Sequence, residues 1–166
     1  MKLPAHLPTF PKTLARVVAR LPAWPPSVAF ATACNRAAWP TLGELDWSAA
    51  YGKRFRVHVK DVGLSMYLSV HEHGLRPEKA GPVDVTFTAS AEDFARLSLR
   101  LEDPDTLFFN RRLLIEGDTD LGLTLKNLLD AVDWDELARR MPLGLGRIAR
   151  ALRQRAFGPD ALAPHF

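Results

Sequence analysis

Residues 83–130, VDVTFTASAEDFARLSLRLEDPDTLFFNRRLLIEGDTDLGLTLKNLLD, read as strand, helix, strand and helix in succession, and they decide the fold. Val83, Val85, Phe87 and Ala89 alternate with Asp84, Thr86, Thr88 and Ser90, the period-two pattern of a half-buried strand. Ser90 then begins a helix, with Asp93 three residues on completing a capping box, and Phe94, Leu97 and Leu101 follow at helical spacing. Pro104 blocks continuation of that helix. The loop around Asp103 and Thr106 is expected to deliver Leu107, Phe108 and Phe109 to a second strand. On that strand Phe109, Arg111, Leu113 and Ile115 would share one face, and Phe108, Asn110, Arg112, Leu114 and Glu116 the other. Gly117 and Asp118 turn the chain into a helix whose Leu121, Leu125, Leu128 and Leu129 fall on one stripe, with Asp118 and Asp120 complementing its dipole.

Upstream, Phe55, Val57 and Val59 alternate with Arg54, Arg56, His58 and Lys60. After a turn at Asp61–Gly63, Leu64, Met66, Leu68 and Val70 alternate with Ser65, Tyr67, Ser69 and His71, which predicts a hairpin. A short stretch around Leu75 and Arg76 could extend the hairpin before Pro77, Gly81 and Pro82 interrupt the chain. Four strands and at least two packing helices in 166 residues predict one α+β domain with terminal extensions.

Charge is distributed unevenly within the net +3. Residues 1–43 hold Lys2, Lys12, Arg16, Arg20 and Arg36 and no acid, residues 135–166 are arginine-rich, and the middle is acidic. Basic ends around an acidic domain suit a membrane surface or an acidic partner, and no nucleic-acid partner is expected. The ends also have apolar faces. Leu14, Val17, Val18 and Leu21 line one predicted helix, and a second runs from about Ser27 to Ala38 behind Pro25 and Pro26. Towards the other end Leu137, Met141, Leu145, Ile148 and Leu152 recur at helical spacing, interrupted by Pro142, Gly144 and Gly146. Arg139, Arg140, Arg147, Arg150 and Arg153 crowd the remaining faces, an arrangement suited to an anionic membrane surface or to simple packing with solvated arginines.

Catalytic signatures are missing. There is no Cys-x-x-Cys, zinc-protease helix, phosphate-binding glycine loop or nucleophile elbow. His71 and His73 lack a third ligand and read as a solvated turn, Cys34 among alanines reads as a buried structural thiol, and no metal or cofactor is expected. An arginine at 111 or 112 turned towards the apolar side would need a partner, for which Glu116 is the nearest candidate. No segment reaches the roughly 20 apolar residues of a membrane span. Pro4, Pro8 and Pro11 break up any secretory signal.

The runs SAEDFARL and FFNRRLLIEGDTDLGLTLKNLL resemble the lipid-binding family of sterol carrier protein type two, and within it the branch of bacterial ubiquinone-biosynthesis accessory factors of the UbiT type. Phe108, Phe109, Arg111, Arg112, Glu116, Gly117, Asp118 and residues 121–129 carry the likeness. It implies a small twisted sheet covered by helices around an apolar tunnel over residues 45–134, flanked by a basic helical extension (1–44) and a basic amphipathic one (135–166). Phe94, Leu97, Leu101, Phe108, Phe109, Leu121, Leu125 and Leu128 would wall the tunnel, though core packing alone also explains them. The resemblance further implies a non-enzymatic role in oxygen-independent ubiquinone biosynthesis. The ligand would be a prenylated ubiquinone precursor or a phospholipid, and the partners iron-sulfur hydroxylase subunits that hold their own clusters. The location would be cytoplasmic, or peripheral at the inner face of the cytoplasmic membrane. The alternative is a structural adaptor or membrane-docking protein of a biosynthetic complex with no occupied cavity.

Overall fold

Alternation at residues 54–89 becomes a sheet in the computed structural model, which describes residues 22–98 and 101–130. Strands β1 (Arg54–Val59) and β2 (Leu64–His71) form the expected hairpin, β3 (Gly74–Glu78) extends it, and β4 (Val85–Ala89) runs parallel to β1. β5 (Leu114–Gly117) closes the order β3-β2-β1-β4-β5, antiparallel to β4. The register aligns Phe55 with Leu68 and Val85, and Val57 with Met66 and Phe87. One face is therefore apolar across every strand, while Arg56, His58, Tyr67, Thr86 and Glu116 lie on the other.

The helices cover the apolar face. Helix α1 (Trp24–Ala37) starts three residues earlier than the sequence suggests, because Pro25 and Pro26 occupy its first turn, where their missing N–H groups cost nothing. Buried Ser27 ties α1 to β2: its hydroxyl donates to Ala23 O at 2.7 Å and accepts from Tyr67 N at 2.9 Å. Asn35 does the same at β3, donating to Leu75 O and accepting from Leu75 N, both at 2.8 Å. A short helix α2 (Trp39–Leu42) then leads into Trp47, whose indole N–H donates to Leu42 O and whose ring tilts against Trp39.

Helix α3 (Ala91–Ser98) begins as expected, with Asp93 N donating to Ser90 Oγ at 3.1 Å. The next segment departs from expectation. Residues 104–109 are not the start of a strand but helix α4 (Pro104–Phe109), and β5 begins only at Leu114. Pro104 does not end α3 (Ala91–Ser98) but takes the first position of α4. The Asp103 carboxylate accepts from Asp105 N and Thr106 N, both at 3.0 Å, and from Thr106 Oγ1 at 2.8 Å. The Thr106 hydroxyl, and then those backbone groups, hold the Asp103 carboxyl below its usual pKa. The cap is thus complete above the ordinary carboxylate range and is lost as pH falls through the lowered value.

Helix α5 (Thr119–Asp130) is capped by Asp118, whose Oδ1 accepts from Leu121 N at 3.0 Å. Gly122 brings α5 against the sheet, since a Cβ there would lie 2.3 Å from Ile115 Cγ2. The expected helices over residues 13–21 and 135–166, with Arg139, Arg140, Arg147, Arg150 and Arg153, lie outside the described residues.

Candidate functional site

In a closed two-layer domain the middle of the sheet's inner face is its driest part. Here it is not. Val57 and Phe87, cross-strand partners on the two central strands, are only half-buried, whereas Phe55 and Val59 at the ends of β1 and Val85 and Ala89 at the ends of β4 are buried. The apolar interior divides accordingly. The largest cluster joins α1, α2, Trp47, Leu68, Val70 and Val85 to Leu121 and Leu125. A second gathers Val59, Val62 and Met66, and a third Ala89, Leu107 and Leu113. Phe30 and Val57 touch the first two clusters, and Phe94 the second and third, all three residues half-buried. Half-buried Phe87, Ile115 and Leu128 also pack on the first. A half-buried apolar centre on the inner face of a sheet is a surface to which an apolar ligand can bind.

The expected wall residues fall into three groups. Phe94, Leu97 and Leu128 are half-buried at the borders of the clusters. Leu101, Leu121 and Leu125 are buried. Phe108 is half-buried, but Phe109 departs from the expected lining, for it is 79% exposed. The reason is the helix at 104–109: three successive residues on a helix face three directions, and buried Leu107 takes the inward one. Phe30, Val57 and Ile115 border the same region and were not singled out as wall residues from the sequence. The side on which Val57 and Phe87 meet is legible, but their half-burial depends on where α1, α3 and α5 sit.

One rim of the region is pinned by charge. Arg112 donates from Nε to Asp93 Oδ1 at 2.9 Å, from Nη2 to the same oxygen, and from Nη1 to Glu102 at 2.5 Å. The expected partner Glu116 is not used: the strand begins after Arg112, so the turn swings its guanidinium towards α3 and not along β5. Buried Arg96 joins from α3, 2.8 Å from Glu92 and 3.6 Å from Glu102. Burial works against the Arg112 charge, but the hydrogen bonds and charges of Asp93, then Glu102, outweigh it and raise the guanidinium's pKa.

A polar cleft of about 510 Å³ lies elsewhere, between α1 and the β2–β3 turn, with Asn35, Tyr51, His71, Glu72, His73 and Arg76 in its walls. Two of its polar side chains are committed to neighbours. Ser69 Oγ donates to Glu78 at 2.8 Å and so accepts from His71 Nε2 at 3.0 Å, while Asn35 serves Leu75. Among the described residues no three His, Cys, Asp or Glu side chains are placed to hold a metal ion, and no helix is long and apolar enough to cross a membrane. Cys34 packs on the main cluster, and burial pushes its thiol up to about 11 from 9.0. Iodoacetamide should therefore alkylate it about 100-fold more slowly in the native chain than in urea, read by intact mass against time.

Comparison with known proteins places these features in context. A sequence model of the SCP-2 sterol transfer family matches residues 43–130. Ubiquinone biosynthesis accessory factor UbiT from Escherichia coli strain K12 is 40% identical over 107 residues, 64% of this chain. The matched chain spans 60% of that relative's length. Among solved structures, a UbiJ-SCP2 ubiquinone synthesis protein is 24% identical, with a TM-score of 0.49 over 63% of this chain and 92% of that one. Sterol carrier protein 2 like 2 from Aedes aegypti is 18% identical, with a TM-score of 0.47 over 62% and 96%.

Proposed function

Since the chain belongs to the SCP-2 sterol transfer family, we propose that it is a non-enzymatic lipid-binding accessory factor of ubiquinone biosynthesis. It holds the apolar part of a prenylated ubiquinone precursor, or of a phospholipid, over the centre of its sheet. The observation that carries this reading is the half-burial of Val57 and Phe87 between three apolar clusters. A prenyl chain in water loses about 25 cal/mol for each Å² of apolar surface it exposes, so covering even part of the tail makes transfer to a water-soluble enzyme feasible. The likeness to UbiT supports the pathway, and partners of the iron-sulfur hydroxylase class would then receive the cargo. Any cluster would be theirs, for the chain holds a single cysteine. The acidic middle and basic ends favour work beside an anionic membrane surface.

The test is to occupy that surface. Val57→Trp adds an indole at the half-buried centre of the sheet, so bound lipid should fall about tenfold while the unfolding midpoint holds or rises. Native mass spectrometry of chain purified without detergent, followed by organic extraction, measures the first quantity. Urea unfolding measures the second. Equal lipid in parent and variant would overturn this placement of the ligand. A parent chain with no lipid that also extracts none from vesicles would point to the adaptor role.

A further inference from the structure

The turn after α4 presents an aromatic ring that the core does not use. Phe109 is 79% exposed, far more than any other large apolar side chain described, and Phe108 backs it edge-on with ring centroids 5.8 Å apart. The turn is tight and well held. Arg111 N donates to Phe108 O, while Arg112 N and Leu113 N both donate to Leu107 O. Leu107 and Leu113 are buried beneath it, so the exposed ring sits on a fixed support, and Leu114, 40% exposed, follows directly.

Two of the three basic side chains near this tip are committed to carboxylates. Arg112 is neutralised by Asp93 and Glu102, and Asp105 near the start of α4 holds Lys126 Nζ at 2.6 Å. Arg111 is exposed and has no ion pair or hydrogen-bonded side chain among the described residues. It also adopts φ +57°, the left-handed conformation that a long side chain seldom takes and that glycine or asparagine would adopt more easily.

We propose that this tip is a membrane-docking anchor: Phe109, backed by Phe108, enters the interface of an anionic phospholipid bilayer while Arg111 meets the lipid phosphates. The proposal rests on the carrier reading, because a carrier must meet the bilayer from which its cargo comes. A protein partner would ask for something larger, roughly 800 Å² of complementary surface on each side. A protruding ring beside one uncommitted cation is too small for that and suits the headgroup boundary, where aromatic rings and arginine heads settle at different depths.

Flotation of the full chain with phosphatidylglycerol–phosphatidylcholine vesicles tests it. Phe109→Ser should lower partitioning about tenfold. Arg111→Gly should weaken binding to these vesicles and not to pure phosphatidylcholine, with the unfolding midpoint unchanged or raised because glycine fits the backbone there. A dye on Phe109→Cys, attached at neutral pH where Cys34 is shielded, should shift its emission to the blue on vesicles.

Lipid cargo is measured on the same samples. Lost partitioning with retained cargo supports docking. Unchanged partitioning of Phe109→Ser, or an unshifted dye, overturns it, and lost cargo with full partitioning returns Phe109 to the cavity wall. A parent chain that floats with vesicles yet carries no lipid would overturn the carrier reading alone.

Discussion

Gly117→Ala is expected to lower folding stability by about 3 kcal/mol, read as a drop in the urea midpoint at constant slope. Two costs combine. Gly117 has φ +96°, where any side chain is strained, and an added Cβ would stand 2.4 Å from the carbonyl oxygen of Asp84. That oxygen is backbone, and it already accepts from Asp118 N at 2.8 Å, so it has no free direction in which to retreat. Asp118 in turn caps α5 through Leu121 N, and Asp84 accepts from Arg54 N at 2.8 Å. Displacing this corner disturbs the end of β5, the start of α5 and the entry to β1 together. Gly122→Ala is the instructive comparison. Its Cβ would come still closer to an atom, 2.3 Å from Cγ2 of half-buried Ile115 and 3.1 Å from Cγ2 of buried Val85, but both are side-chain and not backbone atoms, and alanine restores about 1 kcal/mol of helix propensity. A larger loss for Gly122→Ala than for Gly117→Ala would show that the helix–sheet contact is the stiffer of the two.

Arg112→Leu should cost about 2–3 kcal/mol at neutral pH. Asp93 is 5% exposed and would keep only the Ser90 hydroxyl, at 2.7 Å, in place of a two-point guanidinium clasp. The figure stays below that for a fully buried pair because the Arg112 side chain retains 35% of its exposure and Glu102 still has Arg96 within 3.6 Å. Arg112→Leu combined with Asp93→Asn should be closer to the parent than the sum of the single changes, with a coupling of at least about 1 kcal/mol. Strict additivity would mean that the pair is no more than a surface contact. Because this cluster joins α3 to the turn beneath Phe109, looser docking of α3 should also shorten lipid retention, measurable by exchange of a fluorescent lipid.

Much of this protein was legible in the residues. The alternation at Phe55–Val59 and Leu64–Val70 encodes the hairpin, and that at Val85–Ala89 a further strand, whose parallel place beside β1 only the fold shows. Ser90 and Asp118 mark the starts of α3 and α5. These signals are local, since side-chain direction along a strand and capping at a helix end depend on neighbours in sequence. The helix at 104–109 is not what the sequence predicts: Pro104 reads as a helix breaker although Asp103-Pro104-Asp105-Thr106 has the form of a capped helix start, and the apolar run Leu107–Phe109 fits either period.

Three features were decided only by tertiary structure. Arg112 finds Asp93 and Glu102 across 19 and 10 residues of chain, and no spacing rule links those positions. Phe109 turns outward because Leu107 takes the inward side of a helix set by its contact with Ala89 and Leu113. Val57 and Phe87 are half-buried, and their degree of burial depends on how the helices are set over the sheet. The sequence by itself determined which residues are apolar and along which elements they lie. Whether those apolar residues close on one another or leave room for a ligand is a matter of packing between elements distant in the chain, and only the folded structure decided it.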